Sequence, residues 1–197
     1  MERYASRSLE EMLGSSFDST ASIDSITVSP GKKAVILNGV TLNNPAKFKE
    51  GEALTSDRVI VQLDLMSLMT ESPVIEQLTF VGTDVNYRYE LLDGTNIGAL
   101  AKRFDKASTV DPSKFIVKKV VCKDARVSFS SNLLPKANMD MNLVTVRLND
   151  LDNGQPVSGT EIASIFLSSL VRETLTINGL LNPLLKQLRK DSDDLAK

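Results

Sequence analysis

The sequence predicts a mainly β protein of the α+β class. We expect a curved antiparallel sheet of about seven or eight strands, with a short N-terminal helix, one middle helix and C-terminal amphipathic helices. Apolar and polar residues alternate with period two over most of residues 21–149, the pattern of strands with one buried face. Helical spacing replaces this alternation near the N-terminus, around residue 100 and after residue 158.

The polar run from Asp152 to Pro156 is the strongest break in the chain. It separates residues 1–150, predicted as a curved sheet domain, from residues 157–197. We expect this second part to be helical and to pack on the sheet or cap one end of it.

The N-terminal part is predicted to form one helix and one hairpin. Arg3 to Leu13 has apolar residues at helical spacing, and Gly14 ends the pattern. Ala21 to Ser29 and Lys33 to Asn43 are predicted strands joined by a Pro-Gly turn. Gly39 interrupts the second strand, which indicates a bulge or a bend.

The centre of the sheet is predicted between residues 57 and 90, where three alternating runs share one apolar face. Val74 to Val81 is the middle run, and the short step Gly82-Thr83 predicts a hairpin turn to the third run, hence antiparallel pairing. In the connection that precedes Val74, we expect three apolar side chains to tuck under the rim of the sheet: Met66, Leu68 and Met69.

A helix is predicted from Asn96, which can cap it, to about Phe104. Two more strands follow, Lys114 to Lys123 and Ala125 to Ser131, and they repeat the central pattern at an offset of 42 residues. At this offset Ile75 meets Val117, Val85 meets Val127 and Tyr87 meets Phe129. The apolar positions coincide whereas the charges do not, which indicates a repeated structural hairpin and not a repeated binding code.

The last predicted strand, Asn138 to Asn149, is apolar on both faces, so it is either sandwiched between two layers or changes face at a bulge. A helix capped by Ser158 or Thr160 follows and ends at Asn178-Gly179. A second amphipathic segment, Leu180 to Leu188, fits a membrane surface or a cap on the sheet. Its Ser- and Thr-rich polar side favours the cap.

Composition and missing motifs exclude several classes of function. The net charge of −2 and the scattered basic residues argue against a nucleic-acid partner. The chain has no His, no nucleophile motif and no metal-binding spacing, so we expect neither an enzyme nor a cofactor or metal site. Cys122 is expected to be a small buried hydrophobe. The chain has no signal-peptide core and no apolar run of the roughly 18–20 residues that span a bilayer, which by themselves indicate a cytosolic protein or a piece without its targeting segment.

The functional question is what covers the apolar face of the sheet. Seven or eight strands with one apolar face exceed what about three short helices cover, and uncovered apolar surfaces usually bind something. We therefore predict a trough for acyl chains. The alternative is that the sheet folds over the helices and closes a dry core. The predicted trough is lined by Val59, Val61, Leu63, Leu78, Phe80, Val85, Tyr87, Val120, Val127 and Phe129.

Five motifs in order give the chain a resemblance to a known family. They are I-x-S-I-x-V from Ile23, L-x-G-V-x-L-x-N-P-x-x-F from Leu37, V-x-L-D-x-x-S-L from Val61, V-I-x-x-L-x-x-x-G-x-x-V-x-Y from Val74, and T-N-I-x-x-L from Thr95. This series resembles the N-terminal domain of AsmA-like envelope proteins. It covers residues 22–100, and looser similarity extends over residues 114–129 and 159–170.

The resemblance implies a curved sheet with a hydrophobic concave surface in the periplasm of a bacterium with two membranes. It also implies a tether to the inner membrane through an N-terminal helix, which is absent from this chain, and a part in phospholipid transport or outer-membrane homeostasis. The expected partners are a phospholipid or fatty acid, a membrane surface and a second copy of the chain. The alternative function is a structural or assembly module that pairs through its sheet edges or C-terminal helices.

Overall fold

The computed structural model of the protein describes residues 21–90, 92–108, 114–132 and 139–176. The predicted N-terminal helix and the amphipathic segment from Leu180 to Leu188 lie outside these residues. The described residues form a mainly β fold with a curled sheet and two helices, so the predicted fold class is confirmed at this level.

Nine strands form in the described part of the chain, and three of them are only two to four residues long. They are β1 (Ala21–Ser29), β2 (Ala34–Asn43), β3 (Glu52–Leu63), β4 (Val74–Glu90), β5 (Gly94–Thr95), β6 (Lys114–Val117), β7 (Lys119–Ser131), β8 (Met139–Asn149) and β9 (Val157–Ser158). The two helices are α1 (Asn96–Ser108) and α2 (Gly159–Thr176).

The sheet is mixed, so the prediction of a purely antiparallel sheet is wrong. Strands β1 to β4 form an antiparallel meander, β7 then pairs with β4 in parallel, and β8 pairs with β7 antiparallel. A parallel neighbour requires a crossover connection, and α1 lies in that connection between β4 and β6. Period-two alternation does not distinguish parallel from antiparallel neighbours, which is why the sequence pattern missed this crossover.

The predicted hairpin at Gly82-Thr83 is also wrong. Strand β4 continues through both residues for 17 residues, with β3 on one side and β7 on the other. The 42-residue offset seen in the sequence is the register of this parallel pair, because Leu78 lies beside Val120 and Val85 lies beside Val127. The repeat therefore consists of two long strands side by side.

A transverse kink line crosses the sheet, and Gly39 and Gly82 lie on it with φ angles of 59° and 60°. At this level the strand ladders skip one residue in each strand, although the register continues unchanged on both sides. The skipped residues are Asp24 on β1, Gly39 on β2, Asp57 on β3 and Gly82 on β4. The predicted bend at Gly39 is thus confirmed.

At the kink line, the alternation of side chains between the two faces shifts by one residue. Both halves of each strand therefore keep their apolar residues on the same face. On β3 the buried residues nearest the line are Leu54 and Ser56 before it and Val59 after it. Because neighbouring strands bend at the same level, their hydrogen-bond registers stay matched. We call the face that carries Val59 the inner face, and the opposite one the outer face.

The pairing of β8 with β7 bears on whether β8 is sandwiched between two layers or changes face at a bulge. Its register pairs Met141 with Val127 and Val146 with Cys122, and it skips the step between Asp124 and Val144. Val127 and Cys122 both belong to the buried cluster of the inner face. The register therefore supports a change of face at a bulge.

Both helices pack on the inner face and on each other, and their apolar residues join the hydrophobic cluster of the strands. The cap of α1 is Thr95, one residue before the predicted Asn96, because Thr95 Oγ1 accepts the N–H of Gly98 at 3.1 Å, whereas Asn96 Oδ1 accepts only the adjacent N–H of Ile97 in this helix. The predicted α2 cap is confirmed, since Ser158 Oγ accepts the N–H of Glu161 at 3.1 Å. In the described ranges, no helix combines the length and apolar character needed to span a bilayer.

Candidate functional site

The predicted trough residues lie together on the inner face, and helices α1 and α2 cover most of them. Seven are buried: Val59, Leu78, Val85, Tyr87, Val120, Val127 and Phe129. Three are half-buried and pack against the same cluster: Val61, Leu63 and Phe80. The expectation that the helices leave this face uncovered is therefore wrong for the β4–β7 region.

The cover consists of one apolar side of each helix. Ile97, Leu100 and Phe104 of α1 are at most 3% exposed, and so are Phe166 and Leu170 of α2. The Phe166 ring stacks on the Phe80 ring with centroids 4.0 Å apart. These contacts close the inner face over β4 and β7 as a protein core.

Exposure of the inner face increases towards the β1 edge at one end of the sheet, whereas Ile23 and Ile26, farther along β1, are buried. One row of cross-strand partners runs from Val120 on β7 through Leu78, Val61 and Val35 to Val28 on β1. Val120 is 1% exposed and Leu78 8%, Val61 and Val35 are half-buried, and Val28 is 60% exposed. Directly paired residues share a face, so the exposed fraction of the side chains increases along one continuous surface.

We give the name open strip to the incompletely buried part of the inner face, of which Leu37, Val40, Val61 and Leu63 also pack against the hydrophobic cluster. Its members lie on β1, β2 and β3, and each is exposed or half-buried: Val28, Val35, Leu37, Val40, Val61 and Leu63. From Val35 to Val40 the strip follows β2 for roughly 17 Å at the usual rise per residue. Of these residues, sequence reasoning selected only Val61 and Leu63, although the alternation of β1 and β2 carried the same signal.

The connection between β3 and β4 presents four large apolar side chains to solvent, and we call it the apolar loop (residues 65–69). Met66 is 84% exposed and Met69 93%, while Leu65 and Leu68 are 43% and 48% exposed. The expectation that Met66, Leu68 and Met69 tuck under the sheet rim is therefore wrong.

Polar residues hold the apolar loop from within. Buried Ser67 donates its hydroxyl to Asp64 O at 2.6 Å and accepts the N–H of Val74 at 2.7 Å. Asp64 Oδ1 accepts the N–H of Met66, and Thr70 Oγ1 donates to Ser67 O. Asp64, Ser67 and Thr70 are three residues apart, so they share one side of a turn and leave the apolar residues on the other. This spacing is the signal that would have predicted the loop.

Two lysines lie beside the apolar loop. Lys32 and Lys33 are exposed in the turn between β1 and β2, and Leu63 N–H donates to Lys33 O at 2.8 Å. Further along the same end, Lys118 contacts Glu76 at 2.7 Å, and this hydrogen bond raises the pKa of the Lys118 ammonium. Within the apolar loop and its flanks, Asp64 is half-buried and Glu71 is exposed.

Two depressions are lined by described residues, and the first of them is polar. One, of about 440 Å³, lies at the opposite end of the sheet and contains Asn44, Asn86 and Arg88 together with Glu50, Glu52 and Asp140. The other, of about 360 Å³, lies between α1 and α2 and is lined by small residues and the charged Lys102 and Asp105. The first lacks the apolar lining that an acyl chain requires, whereas most of the lining surface of the second is apolar.

The described residues contain no group of His, Cys, Asp or Glu side chains arranged to hold a metal ion. Cys122 is fully buried in the hydrophobic cluster, as predicted, so its thiol lies away from solvent. Tyr87 is buried as well, and burial raises the pKa of its phenol.

No protein-family model matches the chain, and no curated protein matches it.

Proposed function

We propose that this protein is a non-catalytic lipid-binding module of the bacterial cell envelope, of the AsmA-like kind, in which the open strip holds an acyl chain of a phospholipid or fatty acid. The observation that carries the proposal is the exposure gradient of the inner face. The row from Val120 to Val28 begins in a closed core and ends at the exposed side chain of Val28.

The chemistry of the open strip suits an acyl chain. It consists of aliphatic side chains on three adjacent strands, and such a surface gains free energy when water leaves it. Its length of roughly 17 Å along β2 accommodates a large part of a fatty tail. The order of motifs shared with AsmA-like envelope proteins supports the same substrate class and a periplasmic location.

The test is lipid analysis of gently purified protein, by native mass spectrometry and by organic extraction. We expect co-purifying phospholipid or fatty acid in the wild type. Val28→Asp places a charge in the open strip at a residue that is 60% exposed, so the fold tolerates it and the bound lipid should be lost. Thr27→Asp is the matched control, since Thr27 is exposed on the outer face of the same strand and the change should leave lipid bound.

The absence of lipid from the wild type, together with equal behaviour of the two Asp variants in a lipid-loading assay, would contradict this function. Such a result would favour the second candidate, an assembly module.

The specific observation behind assembly is the pair of sheet edges. In the described part of the chain, β1 pairs only with β2, and β8 pairs only with β7. An edge strand with unused hydrogen-bonding groups can add a strand from a second copy. Sedimentation over a range of concentrations tests this. Lys at Ser22 and Thr27, two exposed residues of β1, should weaken edge pairing if it occurs.

A further inference from the structure

The apolar loop combines exposed apolar side chains with several backbone groups that are paired within the loop and its flanks. The N–H groups of Met66, Ser67 and Thr70 all donate within the loop or its flank, and Val74 N–H donates to the Ser67 hydroxyl. The side-chain hydroxyls of Ser67 and Thr70 donate to backbone carbonyls. A segment can enter an apolar phase at low cost only when its backbone polar groups are paired in this way.

The shape of the apolar loop favours a fluid partner. Met66 and Met69 are unbranched, flexible and almost fully exposed, so they project from the molecule. Projecting side chains need matching pockets in a protein partner, whereas a lipid interface accepts them without complementary shape.

Charge around the loop favours a lipid surface with anionic headgroups. Lys32 and Lys33 are exposed next to the loop, on the turn whose Lys33 carbonyl accepts the Leu63 N–H. Asp64 is half-buried and accepts the Met66 N–H, so Glu71 is the acidic side chain that the loop region exposes most. Lysines beside an inserted apolar segment are attracted to an anionic membrane surface.

From these observations we infer that the apolar loop inserts into the interface of an anionic membrane, with Lys32 and Lys33 at the headgroups. The inference rests on the proposed function for its purpose. Leu63 is the last residue of β3 and belongs to the open strip, so a docked loop places one end of the strip against the bilayer. A lipid tail could then pass between the membrane and the strip.

The experiment is flotation of the full chain with vesicles of phosphatidylglycerol or of phosphatidylcholine. We expect binding to phosphatidylglycerol vesicles and weaker binding to phosphatidylcholine. Met66→Ser with Met69→Ser should reduce binding by about tenfold or more, because two apolar anchors are lost. Lys32→Gln with Lys33→Gln should weaken binding to phosphatidylglycerol roughly fivefold per lysine and barely change binding to phosphatidylcholine.

Leu92→Ser is the matched control. Leu92 is 95% exposed, but it follows the far end of β4, whereas the apolar loop precedes its beginning. Flotation of Leu92→Ser should equal that of the wild type. Failure of the wild type to float, equal flotation of the Met66/Met69 variant, or an equal loss in Leu92→Ser would each overturn the inference.

Sedimentation and analysis of bound lipid distinguish membrane insertion from self-association and from the proposed lipid binding. If the Met66/Met69 variant dissociates an oligomer in sedimentation and the wild type does not float, the loop binds a second copy, and membrane insertion is overturned. If wild-type protein floats but carries no lipid, the lipid-binding function fails while membrane insertion stands. If Val28→Asp loses its lipid and still floats, both proposals are supported.

Discussion

The ring of Phe166 on α2 stacks on the ring of Phe80 on β4, with centroids 4.0 Å apart and 6° between the ring planes. The sequence predicts that Phe80 lines a lipid trough, but in the structure its ring packs against a helix of the same chain. This contact belongs to the covered part of the inner face, which extends at least to Val59, the cross-strand partner of Phe80.

Phe166→Ala should destabilise the protein by about 3 kcal/mol, because it removes a side chain that is 3% exposed and leaves a cavity above Phe80. Urea unfolding measures the change. Ser168→Ala is the control, since Ser168 is exposed on the same helix and its loss should cost less than about 0.5 kcal/mol. Equal midpoints for the two variants would show that the ring pair contributes nothing to the core.

Gly82→Ala should destabilise the protein through two effects. Residue 82 has φ of 60°, and an added Cβ would overlap the Asp57 carboxylate on the neighbouring strand. Gly94→Ala separates these effects. Gly94 has φ of 74°, but a Cβ added to it would have no neighbouring atom within 4 Å. Gly94→Ala should cost about 1 kcal/mol, the backbone component alone, and Gly82→Ala clearly more.

The double variant Gly82→Ala with Asp57→Ala should recover part of the difference in a thermal or urea unfolding experiment. If Gly82→Ala and Gly94→Ala cost the same, the Asp57 carboxylate does not constrain the kink line.

Asn96 ties the start of α1 to two other segments. Its Oδ1 accepts the N–H of Arg88 at 2.8 Å, and its Nδ2 donates to Asn44 Oδ1 and to Asn86 O at 2.7 Å. Asn96 is fully buried, so Asn96→Ala and Asn96→Asp should each destabilise the protein by at least about 2 kcal/mol. Urea unfolding at neutral pH checks both.

The two Asn96 variants should respond differently to acid. A carboxylate at position 96 would face two oxygens, and protonation would restore one donor, so the deficit of Asn96→Asp relative to wild type should shrink as the pH falls. The deficit of Asn96→Ala should stay constant. A pH-independent deficit in both would mean that the Nδ2 contacts are not important.

Tyr87 should make stability depend on pH in the alkaline range. Burial raises the pKa of its phenol, and a hydrogen bond with Thr95 has a smaller, lowering effect. Since the folded-state pKa lies above the unfolded one, this contribution is complete below about pH 10 and is lost as the pH rises through the higher folded value. Tyr87→Phe should therefore lose less stability than wild type as the pH rises above about 10.

Urea unfolding at a series of alkaline pH values tests this, with Tyr89→Phe as the control, since Tyr89 is only half-buried on the same strand. Parallel decline of wild type and Tyr87→Phe would contradict it.

Much of the fold was predictable because alternation is a local property. The apolar sides of β3, β4 and β7 and the capping residue Ser158 follow from neighbours within a few positions, and the structure confirms them. The prediction of a hairpin turn at Gly82 is wrong because a glycine with positive φ is equally compatible with a tight turn and with a kinked strand. Hydrogen-bonding partners on both sides, β3 and β7, decide for the kink.

The candidate site was predicted to a smaller extent. The sequence identified the apolar face but not which part of it stays open, and it missed Val28 and the exposure of Met66 and Met69. The exposure of the inner-face side chains depends on where α1 and α2 pack on the sheet. Residue spacing along the chain does not predict that position.

By itself, the sequence determined which side chains lie on the inner face and which two strands repeat, because period-two burial and the 42-residue offset are properties of residue order. Only the tertiary structure decided that the repeats lie in parallel, that the helices close the face over β4 and β7, and that an open strip and an apolar loop remain. These outcomes depend on packing between segments far apart in the chain, whose balance no local pattern encodes.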